Sequence, residues 1–170
     1  MNERVVVVNA GKMNYDHLLD FSVLSNDVQV YDDSTNAELI ERIQGATVVV
    51  TKEIPVGPEL LSQFPESVKL IVEAGTGYNN IDLDAARAKG ITVCNIPAYS
   101  TERVAHTAIM MLLNFASTMQ QQIGMLARGD RSNFTKHLQV PHTEVNGKTL
   151  GIIGAGNIGM AVVKVAKALD

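Results

Sequence analysis

Tryptophan is absent, cysteine occurs once, and no side-chain charge of one sign dominates the 170 residues. A lone Cys94 cannot close an internal disulfide, which excludes a disulfide-stapled secreted scaffold. The opening Met1-Asn2-Glu3-Arg4 leads into a short valine run with no signal-peptide stretch, so a cytoplasmic protein is expected. Long apolar runs are missing too. The most extended, Ala108 to Leu113, is six residues, whereas a membrane-spanning helix needs about 20. With 14 basic against 18 acidic side chains the formal charge is −4. That leaves no basic footprint for nucleic acid or for an anionic membrane. Small molecules or proteins are the expected partners. Glycine and proline, 13 and 5 residues, are too few for a collagen-like chain, and 46% hydrophobic content is too high for disorder. Asn133-Phe134-Thr135 forms a glycosylation sequon, read here as a chance occurrence in a polar loop.

What is present is an alternation of β-branched runs with helix-like stretches. Arg4 to Ala10, Asp27 to Tyr31, Ala46 to Thr51, Val68 to Ala74 and Ile91 to Ile96 read as five strands. They are nearly continuous apolar runs, as parallel strands covered on both faces require. Helices are predicted near Tyr15 to Leu24, Asn36 to Gln44, Pro58 to Phe64 and Leu83 to Lys89. Thr35 and Glu38 have the spacing of a capping box, and Gly45 and Gly90 stand where left-handed helix stops are needed. The pattern predicts an α/β fold with a doubly wound parallel sheet over residues 1–97, closed by Asn95-Ile96-Pro97. Residues 98–170 then form a second region. Thr101 to Leu126 reads as one long helix, apolar on most sides between Val104 and Met119, which calls for burial between two domains or two subunits. Ala127 to Gly147 is polar and irregular, and Thr149 to Ile153 starts another strand, followed by a helix from Asn157 to Leu169.

Gly154-Ala155-Gly156-Asn157-Ile158-Gly159 is a G-x-G-x-x-G between that strand and that helix. In such a place Gly154 serves the tight turn, Gly156 lets backbone approach a pyrophosphate, Gly159 allows helix and strand to pack closely, and helix N-terminal amides face the anion. A merely structural glycine turn is the competing reading. Gly147-Lys148-Thr149 is no Walker A motif, since position 142 holds His142 and a strand follows. His17, His106, His137 and His142 have no zinc-ligand spacing. A second glycine-rich stretch, Glu73 to Asp82, places Gly75 and Gly77 just past the fourth strand, at the edge where open α/β sheets bind ligands. Its amides can form a nest for a carboxylate; equally, it is a sharp turn with Asp82 capping the next helix. Tyr99, after the fifth strand, can offer a phenol at the same edge, or it packs beside a helix capped by Ser100 or Thr101. Cys94 reads as a small core residue rather than a nucleophile.

These segments, in this order, resemble the D-isomer-specific 2-hydroxyacid dehydrogenases, in particular their glycerate, hydroxypyruvate and D-lactate branches. The stretches that carry the resemblance are Glu73 to Asp82 with Ala85-Ala86, Gly90 to Pro97, Ala98-Tyr99-Ser100 leading to Val104-Ala105, and Gly147 to Gly159. The likeness runs from about Ala46 onward and more faintly over the first strands. It implies a flavodoxin-like substrate domain followed by a nicotinamide-binding Rossmann domain, of which this chain holds the connecting helix and the first βα unit. By matching position, Thr76 and Gly77 fall on the loop that holds the substrate carboxylate, beside the Gly75 already read as part of the amide nest, and Tyr99 on a substrate-site tyrosine of the D-lactate branch. Gly154, Gly156, Asn157, Ile158 and Gly159 fall on the pyrophosphate loop, with Asn157 where Arg or His is frequent. The implied cofactor is NAD or NADP and the implied substrate a small 2-oxo or 2-hydroxy acid; a homodimer is expected from the apolar helix Val104 to Met119.

Two positions depart from the family pattern. His106 stands where Glu or Gln is common, and Thr51-Lys52-Glu53 lacks the usual Asn-Lys order. The family's substrate-orienting Arg, its Glu and its acid/base His match no position here, so no catalytic residue is assigned. Reducing a 2-oxo acid requires a proton donor and a cation besides the hydride, and the chain by itself is therefore expected to be inactive. A single βα unit is also expected to leave Thr149 to Asp170 mobile, swapped or packed on another subunit. The competing reading is a non-catalytic binding protein that dimerises through the helix around Val104 to Met119. A flavoprotein is disfavoured, because Asn9 to Asn14 is a poor phosphate-gripping turn.

Overall fold

Val5 to Val8 alternate between two apolar layers: Val6 and Val8 join the cluster of Leu39, Ile43, Leu61 and Ile71, while Val5 and Val7 join Ala10 and Val50 on the opposite face. This double coverage explains why the run is valine throughout instead of alternating with polar residues. A computed structural model describes residues 3–169; Met1 and Asn2, read above for a leader, and Asp170 lie outside them. Five strands, β1 (Arg4–Val7), β2 (Asp27–Val30), β3 (Val48–Thr51), β4 (Leu70–Glu73) and β5 (Thr92–Cys94), form an all-parallel sheet in the order β2-β1-β3-β4-β5. That is the flavodoxin-like doubly wound order. It puts the carboxyl ends of all five strands, and the loops that follow them, on one edge.

Helices α1 (Asn36–Arg42), α2 (Pro58–Ser62) and α3 (Leu83–Ala88) connect the strands. The Thr35–Glu38 capping box forms in both directions, and Gly45 and Gly90 adopt φ of +74° and +70°, as a left-handed stop requires. Leu39 and Leu61 are fully buried beneath the helices, each contributing about 1.5–3 kcal/mol of transfer free energy. The first compact unit ends at Tyr99 and the second begins at Ser100.

The second unit contains α4 (Thr101–Ala116), α5 (Met119–Ala127), the one-turn α6 (Ser132–Thr135) and α7 (Asn157–Ala166). Its small core joins Ala105 and Ile109 of α4 to Val162 of α7. Val104, Met110, Met111 and Phe115 of α4 stay exposed. Among the described residues no helix is long and apolar enough to cross a membrane.

The sequence expectations are corrected at six places. Tyr15 to Leu24 is no α-helix: Asn14 accepts from the Leu19 amide, Asp16 from Leu18 and Asp20 from Ser22, so side chains capture the backbone groups a helix would use. Only a 3-10 turn at Phe21–Leu24 remains. The helix predicted from Thr101 to Leu126 breaks at Thr118, which has φ +51° and donates its hydroxyl to Pro141 O at 2.6 Å. Thr149 to Ile153 forms no strand, since no described strand lies beside it to complete a ladder, and Ile153 is fully exposed. Yet α7 is not detached, because α4 of the same chain offers it an apolar seat. Cys94 is exposed rather than in the core: β5 is an edge strand, and only Val93 turns toward the packed face. The sequon Asn133 is buried in α6, its amide bonded to Gln122 and to the Gln139 N–H.

Candidate functional site

The carboxyl edge of the sheet is organised by polar side chains that close each strand. Asn9, fully buried after β1, pairs its amide with the Lys52 backbone in both directions, donating to O at 2.6 Å and accepting from N–H at 2.9 Å. This joins β1 to the loop after β3 at the point where the strand order reverses. One strand further, Glu73 ends β4 with 0% exposure. Its Oε1 accepts from the Glu53 N–H at 2.9 Å and its Oε2 from Asn80 Nδ2 at 3.0 Å. Asn80 Nδ2 also donates to Ile54 O at 2.8 Å, and the Val56 N–H donates to Asn80 O at 2.7 Å. Glu53 itself sits at φ +58°, a strained conformation for a side-chain-bearing residue, held in place by that bond to Glu73. The sequence alone does not point to these partners. The available signal was a single carboxylate at the end of the apolar run Leu70-Ile71-Val72-Glu73.

Above this layer lies the glycine loop. Among the described residues, the backbone amides of Gly75, Thr76, Gly77, Tyr78, Asn79 and Asn80 donate to no acceptor. Consecutive unsatisfied N–H groups are what an anion nest presents. The capping alternative is realised as well: Asp82 accepts from the Ala85 N–H at 2.8 Å and starts α3. Gly75 is closely packed, since a Cβ there would lie 3.2 Å from Glu73 Oε1 and 3.2 Å from Lys52 Nζ, so a larger residue requires one of these side chains to shift by a few tenths of an ångström. Lys52 brings a largely buried ammonium to this edge, with Glu53 Oε1 at 3.4 Å. The loop is tied to the segment after β5 by Ile96 N–H to Gly75 O, Thr76 Oγ1 to Ile96 O and Asn95 Nδ2 to Thr76 O. Tyr99 follows that segment and is 60% exposed. Ser100 stands at the N-cap of α4 without a side-chain capping bond.

In the second unit Gly154 has φ +89° and Gly156 is the N-cap of α7 in extended conformation. Nothing lies within 4 Å of a Cβ built on Gly156, whereas one on Gly159 would stand 2.0 Å from Gly154 O. The three glycines thus divide into a left-handed turn, an open approach and a contact that excludes a side chain. Asn157 and Ile158 open α7, and the first bond into the helix is Met160 N–H to Gly156 O. The amides before it, from Ala155 to Gly159, meet no acceptor among the described residues. These features fit a pyrophosphate. An apolar hollow of about 350 Å³, lined by Ile109, Leu112, Leu150, Ile152 and Val162, lies beside the loop. No described group of three or more His, Cys, Asp or Glu residues is arranged to hold a metal ion.

Residues 5–146 match the family described as D-isomer specific 2-hydroxyacid dehydrogenase, catalytic domain. The D-3-phosphoglycerate dehydrogenase of Methanocaldococcus jannaschii is 39% identical over 144 residues, 84% of this chain and 26% of that protein. The glycerate dehydrogenase of Methylorubrum extorquens is 34% identical over 137 residues, 79% of this chain and 43% of that protein. The chain therefore spans between a quarter and a half of the length of these relatives. Among solved structures, the D-lactate dehydrogenase of Aquifex aeolicus, complexed with NAD and lactic acid, aligns with a TM-score of 0.83 at 27% identity over 98% of this chain and 49% of that one. A glyoxylate reductase aligns with a TM-score of 0.80 at 25% identity, over 99% of this chain and 53% of that one. With the parallel sheet, its strand order and these matches in agreement, the chain belongs to the D-isomer-specific 2-hydroxyacid dehydrogenase family.

Proposed function

We propose that this chain is the amino-terminal part of an NAD(P)-dependent oxidoreductase that interconverts a D-2-hydroxy acid and its 2-oxo acid. The observation that carries this reading is the run of six unsatisfied amides from Gly75 to Asn80 at the carboxyl edge of the sheet. In this reading the amides of Gly75, Thr76 and Gly77 hold the substrate carboxylate and fix which way the 2-oxo group points, while Tyr99 offers its phenol to the same ligand. Gly154, Gly156, Asn157, Ile158 and Gly159 hold the cofactor pyrophosphate, aided by the positive end of the α7 dipole. The bound nicotinamide supplies or accepts the hydride. The described residues at the glycine loop include no group matched to protonating the substrate carbonyl, so the chain binds without turning over. Purified chain mixed with NADH and pyruvate or hydroxypyruvate is expected to show no steady loss of reduced nicotinamide. NADH should nevertheless shift the amide resonances of Gly154 to Gly159. Sustained turnover would contradict the assignment of no catalytic residue, and unmoved resonances would contradict the cofactor loop.

A homodimer built on α4 is part of the same proposal. Val104, Met110, Met111 and Phe115 present apolar surface along that helix, and such a patch on a soluble chain marks a contact face.

A further inference from the structure

We propose that Glu73 is a positioning residue that holds the Gly75–Asn80 loop in its anion-receiving shape, an inference that rests on the carboxylate-binding reading of that loop. Glu73 is fully buried, yet it touches no basic side chain within salt-bridge distance among the described residues. Its two oxygens are instead occupied by donors from two different loops, the Glu53 amide after β3 and the Asn80 side chain at the far end of the glycine loop. The glycine loop leaves β4 at Glu73 and returns to it at Asn80, so one carboxyl group fixes both of its ends.

The chemistry at Asn80 makes this hub specific for a carboxylate. Both protons of Asn80 Nδ2 are committed, one to Ile54 O and one to Glu73 Oε2. The amide cannot turn over to present its oxygen, because that oxygen would then face the Ile54 carbonyl. The Glu53 N–H is likewise only a donor. Glu73 must therefore accept at both oxygens, which a glutamine of the same size cannot do: its NH2 group would meet either the Glu53 N–H or the Asn80 NH2. Gly75 belongs to the same unit, since a methyl group built on it would lie 3.2 Å from Glu73 Oε1, close enough that the two groups must adjust to one another. A change at position 73 is transmitted to the first amide of the nest.

The test is a pyruvate titration of the 170-residue chain and of its Glu73→Gln variant, followed at the amide resonances of residues 75–80. NADH is titrated separately and followed at residues 154–159. In the parent, pyruvate shifts the loop amides saturably. In Glu73→Gln, the expected result is about tenfold weaker pyruvate binding, with the NADH response of Gly154 to Gly159 retained as evidence of a folded chain and a local effect. Equal pyruvate affinity in parent and variant overturns the positioning role while leaving the carboxylate reading intact. Absence of a pyruvate response in the parent overturns the carboxylate reading itself, and the positioning role with it. Should Glu73→Gln not fold, Asn80→Ala removes the donor to Oε2 while leaving the carboxyl group in place. It is expected to weaken pyruvate binding similarly, and parental affinity in that variant overturns the proposal.

Discussion

Gly159 and Gly154 are the two residues whose chemistry follows most directly from their identity. A methyl group on Gly159 would stand 2.0 Å from the Gly154 carbonyl oxygen, a backbone atom that cannot step aside without moving the turn. Gly159→Ala is expected to destabilise the second unit by about 1–3 kcal/mol, read as a lower denaturation midpoint, and to abolish the NADH response at Gly154 to Gly159. Gly154→Ala acts through conformation, since φ +89° costs an L-residue about 1–2 kcal/mol. The G-x-G-x-x-G spacing marks both positions, although the close contact at Gly159 is to the Gly154 turn rather than to a strand. Glu73, Asn80 and Asn9 were not legible in the sequence, because their partners, Glu53 and Lys52, sit 20 and 43 positions away from Glu73 and Asn9. Only the parallel ladder of β1, β3 and β4 brings those loops together.

The α1 amino terminus carries the clearest pH dependence among the secondary elements. The Thr35 amide and then the Thr35 hydroxyl, bonded to the Glu38 carboxylate, hold that group below its ordinary range, with Arg42 adding a smaller effect. A depressed folded value means that the stabilisation is present above the unfolded glutamate value and is lost as pH falls through the folded one. Acid titration should therefore loosen α1 at its amino end below the ordinary glutamate range, seen as faster amide exchange at Glu38 and Leu39. Thr35→Ala is expected to cost about 1 kcal/mol and to raise the Glu38 value toward normal, measurable by carboxyl chemical shifts. This helix was readable because its cap is local. The five parallel strands were readable because buried valine runs have few alternatives. The stretch from Tyr15 to Leu24 misled because Asn14, Asp16 and Asp20 compete for backbone amides, a contest that hydrophobic spacing does not register. Thr149 to Ile153 has strand composition, but a strand needs a neighbour, and pairing is a property of other parts of a sheet rather than of the run itself.

At the scale of the molecule, the chain joins a five-stranded doubly wound sheet to a smaller helical unit whose core rests on Ala105, Ile109 and Val162. That second core is small, and α4 leaves five large apolar side chains, Val104, Met110, Met111, Leu113 and Phe115, in solvent. A self-associating chain is expected, and sedimentation across micromolar concentrations should give a dimer; a monomer throughout would contradict the α4 interface. Met111→Glu, on the face that Met111 shares with Val104 and Phe115 by helical spacing, should shift the equilibrium to monomer while leaving the sheet intact. The most direct measurement compares pyruvate with its methyl ester, which keeps the carbonyl and removes the charge. Titrated into the chain, pyruvate should move the amide resonances of Gly75 to Asn80 and methyl pyruvate should leave them in place. Equal shifts with both compounds, or none with either, would contradict carboxylate recognition by this loop.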